Sequence, residues 1–205
     1  QLFRNNGIEN FQQKSIRFKA YLDSLGEDFK IPVGIVIQNE AKRDQNNIVE
    51  IPYEVQKVNK IKLYIEDPNK EFSVYTDTIQ FNSLTILSEG KLNYKPKTLA
   101  SGVFIKEGFP YSDQDRSNTY RYFSNLRIFK YPNIDFSSDT KDSLGLISSI
   151  YLTPREPFSV GFDLDLSHSN IQYFGISLGS FVISRNVFKG TETLELGLKG
   201  TIGAS

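Results

Sequence analysis

The chain offers few side chains able to do covalent or acid–base chemistry. It has one histidine and no cysteine, and no stretch carries the Gly-rich spacing that cradles phosphate. His168 lies in Ser167-His168-Ser169-Asn170, a polar turn between two alternating runs. That setting makes it an exposed turn residue rather than a base or a metal ligand. Asp163 and Asp165 form the nearest thing to a carboxylate pair. Two apart in an extended pattern, they share one face of a strand, which describes a polar face and not an acid–base couple. Without cysteine there is no thiolate nucleophile, thiolate metal site or disulfide framework. The expectation is a protein that is not an enzyme, with no catalytic residues, cofactor or metal.

Charge narrows the partners. Lys and Arg number 24, Asp and Glu number 24, and the formal net charge is zero, so no long-range field draws the chain to nucleic acid. Its 205 residues suffice for one medium domain or two small ones without disulfide staples. Methionine is absent; Gln1-Leu2-Phe3-Arg4 reads as a helix end and Gly203-Ala204-Ser205 as strand interior. This pattern is expected of a segment of a longer protein. No run approaches the ~20 apolar residues of a membrane helix, so any membrane role falls to β-strands.

The elements follow from periodicity. Asn5-Asn6-Gly7 is a helix C-terminal signal. Ser15 to Leu22 and Lys30 to Gln38 alternate as half-buried strands, the second with Pro32 marking an edge start. Asn39 to Asn47 is polar and charged, the best site for a domain boundary. Val55 to Glu66 carries Val58, Ile61, Leu63 and Ile65 as a strand turned by Asp67-Pro68-Asn69, and Thr78 to Tyr94 reads as a hairpin centred on Glu89-Gly90. Lys97 to Ile105 is a short helix closing in a left-handed cap near Glu107-Gly108. A longer helix starts at Ser112, a hydroxyl N-cap with Asp115 in the capping-box position. Thr119, Tyr122, Phe123 and Leu126 form its core stripe. Two strands follow, Phe129 to Phe136 and Leu144 to Leu152, joined by the turn Ser137 to Ser143. This order predicts an α+β unit, β-α-α-β-β, with a mixed sheet and both helices on one face.

Beyond Pro154 alternation becomes strict. Phe158, Val160, Phe162, Leu164 and Leu166 oppose Ser159, Gly161, Asp163 and Asp165. Ile171 to Val187 continues the pattern, with Phe174, Ile176 and Leu178 apolar and a slip of phase near Ser180 where Phe181 and Ile183 take over. Leu194, Leu196, Leu198 and Ile202 form a third run. Long strands with one apolar face suit a transmembrane barrel, because lipid satisfies no backbone group and only a closed sheet can cross it. A soluble β-sandwich produces a similar pattern with shorter strands. Periodicity alone leaves both open.

Particular motifs add a resemblance. Ile105-Lys106-Glu107-Gly108-Phe109-Pro110-Tyr111-Ser112, the helix with Asn118-Thr119-Tyr120, Leu126 through Ile134, and Tyr151-Leu152-Thr153-Pro154 resemble the last POTRA domain of the BamA/TamA superfamily. His168-Ser169-Asn170, Gly175-Ile176-Ser177 and Arg185-Asn186-Val187-Phe188-Lys189-Gly190 look like the opening of that superfamily's barrel, closest to the TamL-type members of Bacteroidota. The resemblance covers most of the chain. It implies residues 1–48 as the C-terminal part of one POTRA-like domain, 49–155 as a complete membrane-proximal one with a hairpin insertion, and 156–205 as the first three strands of an outer-membrane barrel that closes on about sixteen.

That resemblance implies a bacterial surface protein of the cell outer membrane, with its POTRA domains in the periplasm, that assembles or translocates other proteins. Its implied partners are nascent outer-membrane proteins, accessory assembly or translocation subunits and outer-membrane lipid. Extended clients add as strands at two edges. One is the first barrel strand, Phe158, Ser159, Val160, Gly161, Phe162, Asp163, Leu164 and Asp165. The other is the POTRA edge strand, Phe129, Lys130, Tyr131, Asn133, Ile134, Asp135 and Phe136, where Pro132 argues for an edge. Arg185, Asn186, Phe188 and Gly190 are the barrel-turn motif. The alternative is a non-catalytic binding module whose C-terminal half is a soluble β-sandwich.

Overall fold

A computed structural model describes residues 1–21, 31–44, 47–66, 74–167 and 174–204. The chain opens with 3-10 turns at Arg4–Asn6 and Gln13–Ser15, the first ended by Gly7 at φ +98°. β1 (Ile16–Ala20) and β2 (Val33–Ile37) pair antiparallel, and β3 (Glu40–Asp44) pairs with β4 (Asn47–Ile51). The polar stretch Asn39 to Asn47, expected as a linker, therefore contributes to a hairpin. Its charged residues resemble a linker because a two-stranded ribbon in water needs no apolar run. Leu22, Lys30 and the expected turn Asp67-Pro68-Asn69 lie outside the described residues.

The central unit contains β5 (Lys57–Ile65), β6 (Asp77–Phe81), β7 (Leu84–Ser88), α1 (Pro96–Ser101), α2 (Asp113–Asn125), β8 (Phe129–Asp139) and β9 (Asp142–Pro154). Its mixed sheet runs β6-β7-β5-β9-β8, with β5 parallel to both neighbours. Val58, Ile61, Leu63 and Ile65 of β5 are all buried, although Val58 and Ile61 are three apart. A bulge between Val58 and Lys60 absorbs the odd residue and restores the phase. Leu99 of α1 and Phe123 of α2 join β5, β7, β8 and β9 residues in one core; Phe123 stands edge-on to Phe129 with centroids 5.9 Å apart.

Three local expectations are corrected. The inserted hairpin turns at Asn82-Ser83, with Asn82 at φ +54°, while Gly90 at φ +73° lies beyond β7. Asn tolerates the left-handed region through its short polar side chain, so no glycine was needed to mark the turn. α1 stops at Ser101 and not Ile105: beyond it the Phe104 N–H donates to Thr119 Oγ1 of α2 at 3.0 Å, and Gly102 packs on Tyr122, whose Cδ1 would lie 2.3 Å from an added Cβ. Gly108 is left-handed as expected, but in a loop whose N–H donates to the Val58 carbonyl at 2.7 Å. Third, β8 and β9 extend past the expected turn Ser137 to Ser143 and reverse at Thr140-Lys141. α2 begins as expected: Ser112 accepts from the Asp115 N–H at 3.1 Å.

The C-terminal sheet is β10 (Phe158–Ser167), β11 (Phe174–Arg185) and β12 (Thr193–Ala204), antiparallel in that order. It is open among the described residues. The pairing of β11 is continuous on both sides, so the expected phase slip near Ser180 does not occur. Phe181 and Ile183 simply occupy the face opposite Leu178 and Val182.

Expressed alone, the segment from Ile51 to Pro154 is expected to fold as a soluble unit. In it, Phe123→Ala should cost about 3–5 kcal/mol and half-buried Leu126→Ala less, whereas Ser112→Ala should cost about 1 kcal/mol. Urea midpoints measure all three, and an unchanged Phe123→Ala midpoint would assign that face to solvent or ligand.

Candidate functional site

The first predicted site is β10, which pairs with β11 and, among the described residues, with no strand on its other side. Phe158, Val160, Phe162, Leu164 and Leu166 lie on one face, with Phe162 81% exposed. The register sets them beside Val182, Leu178 and Ile176 of β11, which in turn oppose Leu196, Gly200 and Ile202 of β12. Ile202 is 82% exposed and Leu198 81%, so the apolar face is continuous across all three strands and uncovered. Adjacent exposed apolar side chains of this kind differ from the singly scattered ones of an ordinary soluble surface.

The opposite face carries Ser159, Gly161, Asp163 and Asp165. Asp165 is ion-paired with Lys199, and Ser177 and Thr201 share a hydrogen bond of 2.8 Å. Gly161 makes room for an aromatic ring on the neighbouring strand. The Phe181 ring lies over it, so an added Cβ would meet Phe181 Cζ at 2.1 Å, and Phe181 is its register partner. The ring fills the space the missing side chain leaves and makes this pairing register distinct from its neighbours.

The second predicted site, β8, is an edge of the five-stranded sheet. Its seven residues divide. Phe129 and Ile134 are buried in the core and Phe136 packs edge-on to Tyr111 at 4.9 Å, whereas Lys130, Tyr131, Asn133 and Asp135 remain at least partly accessible. The ladder with β9 is interrupted between Lys130 and Asn133, where Tyr131 takes φ +39° and Pro132 is buried. Pro132 thus sits in a bulge of an edge strand, where its missing N–H breaks no ladder bond.

The barrel-turn motif gathers at the junction between the two sheets. The Arg185 N–H donates to the Pro157 carbonyl at 2.8 Å, and its Nη1 to the Glu156 carbonyl at 3.0 Å and Ser159 Oγ at 2.8 Å. Asn186 faces both ways: its Oδ1 accepts from the Thr191 N–H at 3.1 Å and its Nδ2 donates to the Asn93 carbonyl at 2.8 Å. The Lys189 carbonyl then accepts from the N–H of Lys95, the residue that caps α1, at 2.8 Å. Gly190 donates its N–H to Glu192 Oε2 at 2.9 Å, and Phe188 donates its own to the other oxygen while exposing its ring. Burial would raise the Glu192 carboxyl, but the N–H groups of Phe188, Glu192 and Gly190, with Lys95 nearby, hold it below its ordinary value. Glu192 escaped the sequence reading; its signal is a carboxylate two residues after a turn glycine.

A matching joint forms at the other end of the central unit. Gly7 donates to the Tyr111 carbonyl and accepts from the Gln56 N–H, at 2.9 and 2.8 Å. Arg4 pairs with Asp113 at 3.0 Å and donates to the Tyr111 hydroxyl at 3.1 Å. Burial raises the Tyr111 phenol, and the hydrogen bond to Tyr111 raises Arg4.

No group of three His, Cys, Asp or Glu that could hold a metal gathers among the described residues; His168 lies outside them. No helix there is long and apolar enough to cross a membrane. The chain matches no protein-family model and no curated protein. Among solved structures it is similar to BamA from Haemophilus ducreyi lacking POTRA domains 1-3, at 15% identity and TM-score 0.47, covering 98% of this chain and 29% of that one. It is similar also to CdiB from Acinetobacter baumannii, at 14% identity and TM-score 0.47, covering 72% and 23%. The chain thus spans less than a third of either.

Asn186→Ala should leave both sheets folded but loosen their junction, seen as a broader distance distribution between spin labels at Tyr120 and Ile202. An unchanged width would show that the Pro154–Phe158 connection alone sets the geometry. The depressed Glu192 carboxyl stabilises the turn above its ordinary pKa of 4.5, and that contribution is lost as pH falls through the lower folded value. Acid should therefore broaden the same distribution, and Glu192→Gln should remove the acid-dependent part.

Proposed function

We propose that this chain is part of an outer-membrane assembly or translocation factor of the BamA/TamA type, closest to its TamL-like members, and that it acts without catalytic groups. The observation that carries the reading is the three-stranded sheet of β10 to β12. Its strands are 10 to 12 residues long, its other face is mostly polar, and among the described residues its apolar face is uncovered and its first strand has a free edge. Strands of ~9–11 residues span a hydrocarbon core. The sequence motifs from Ile105 to Gly190 support the same assignment.

On this reading the apolar face meets outer-membrane lipid and the face of Asp163, Asp165 and Lys199 meets the lumen. The central unit is a POTRA-like domain in the periplasm, with β6 and β7 as its inserted hairpin. β1 and β2 belong to the end of the domain before it: Ile16, Phe18 and Ala20 pair with Ile37, Ile35 and Val33 on one apolar face. Nascent outer-membrane proteins are the clients and accessory subunits assist. A client in extended form pairs first with β8 and then with β10, where its backbone satisfies donors and acceptors that lipid leaves unpaired.

The C-terminal sheet also suits a soluble sandwich if a second sheet covers its apolar face, and fractionation separates the two. The full-length protein is expected in the outer-membrane fraction; recovery as a soluble protein would remove the proposal. Within the membrane, Phe162→Lys should destabilise the refolded protein by ~2–4 kcal/mol if it lies near the bilayer midplane, and Asp163→Asn hardly at all. Cysteines placed singly from Ser159 to Asp165 should crosslink to a stalled client strand with a period of two residues. No crosslink at any position, with the client still assembled, would exclude β10 as the seam. For β8, Asn133→Pro should weaken binding of an extended peptide while near-UV circular dichroism stays native.

A further inference from the structure

Between α2 and the β8 edge runs a groove of about 430 Å³ whose lining includes Arg116, Tyr120, Arg121, Pro132 and Ile134. Pro132 and Ile134 are buried side chains that give it an apolar floor, and Tyr120 adds an aromatic wall 46% exposed. Two guanidinium groups and no carboxylate line it. Arg116 Nε donates to the Ile134 carbonyl at 3.4 Å, a long bond that leaves most of its donors unused. Arg121 Nη2 donates to Asn118 Oδ1, a neutral acceptor. Among the described residues no carboxylate pairs with either arginine. Of the acids nearest in sequence, Asp113 pairs with Arg4 and Asp135 accepts from Asn133 Nδ2 at 2.9 Å, while Asp115, next to Arg116 in α2, forms no ion pair with it and does not line the groove.

We infer that this groove selects extended segments carrying a carboxylate side chain, which settles between Arg116 and Arg121 as the segment pairs with β8. The inference rests on the reading of β8 as a docking edge and adds the chemistry of what docks. A strand added to β8 sends alternate side chains toward α2. An apolar residue there meets Pro132, Ile134 and Tyr120, and an acidic one at the next position on the same face meets two cations with planar, multiply donating heads. Its backbone N–H can also take over the Ile134 carbonyl, releasing Arg116 Nε to the incoming carboxylate. Charge is thus neutralised where the chain by itself leaves it uncompensated. The edge supplies affinity that any sequence can use, and the arginines supply preference.

The test uses the 205-residue chain in detergent micelles and two fluorescently labelled peptides of about ten alternating residues, identical except for Glu or Gln at the central position. Anisotropy should show the Glu peptide binding about two- to fivefold more tightly at low salt, with the advantage fading at high salt. Arg121→Gln should reduce the preference and the double variant Arg116→Gln with Arg121→Gln should abolish it, with the Gln peptide bound as before. Arg121 is exposed, so its variant should keep the native urea midpoint and report on binding alone. Equal binding of both peptides, with loss of both in Asn133→Pro, would overturn this inference and leave β8 as a docking edge. A Glu preference that persists in the double variant would overturn it as well. Failure of both peptides to bind at all would overturn the docking reading and this inference together.

Discussion

A β-strand paired on one side carries a row of backbone donors and acceptors on the other, and the proposed function of this molecule turns on where those rows are left open. In water an open edge is tolerable, because solvent completes the hydrogen bonds. Beside a continuous apolar face in contact with lipid it is not, since nothing there can pair with an N–H or C=O. On the proposed reading β10 combines the two conditions: its edge, unpaired among the described residues, borders the same surface on which Phe158, Val160, Phe162, Leu164 and Leu166 are exposed. On that reading, closure onto another strand is the low-energy state, and strand exchange at this edge would be a reaction among backbone groups that needs no acid, base or nucleophile.

Such an edge is useful only if it is held in place, and the chain does this in two ways. Phe181 sits over Gly161, so a shift of β10 along β11 would set the ring against a side chain and lose its seat. The turn from Asn186 to Glu192 then ties β11 and β12 to the residues leading into α1, through the carbonyls of Asn93 and Lys189. Lys189 and Thr191 both adopt positive φ without being glycine, a conformation supported by the hydrogen bonds of Asn186 and Glu192. With the direct connection at Pro154 to Phe158, this gives the central unit two attachments to the sheet, and a second attachment restrains rotation about the first.

What could be read from the sequence was whatever depends on near neighbours. The strict alternation from Phe158 to Leu166 gave the faces of β10, and Ser112 with Asp115 gave the start of α2, because side-chain period and capping are local. Pro132 pointed to an edge, since a missing N–H is incompatible with two-sided pairing. Long-range pairing was less legible. No local feature of Leu84 to Ser88 announces that β7 lies parallel to β5, and the bulge after Val58 is visible only once its partner strand is known. The turn at Asn82 was displaced to Gly90 because glycine is the stronger signal for a left-handed residue and asparagine the weaker. Phe181 seemed to break the pattern of β11, but its place is explained by a glycine on another strand.

The inserted hairpin also decides which edge of the central sheet is offered. Without β6 and β7, β5 would expose its full nine residues as an edge facing away from β8. β7 covers five of them, from Ile61 to Ile65, and places Leu84 and Ile86 in the core, so the cover is part of the fold. The edge that replaces it is β6, of five residues, against eleven in β8. Because pairing gains stability with each additional backbone contact, an extended segment finds more partners along β8 than along β6. β8 is also the edge beside which α2 places Arg116 and Arg121. On the proposed reading, the covered edge, the bulge at Pro132 and the groove against α2 together direct strand addition to one side of the sheet, with backbone geometry and two cations alone.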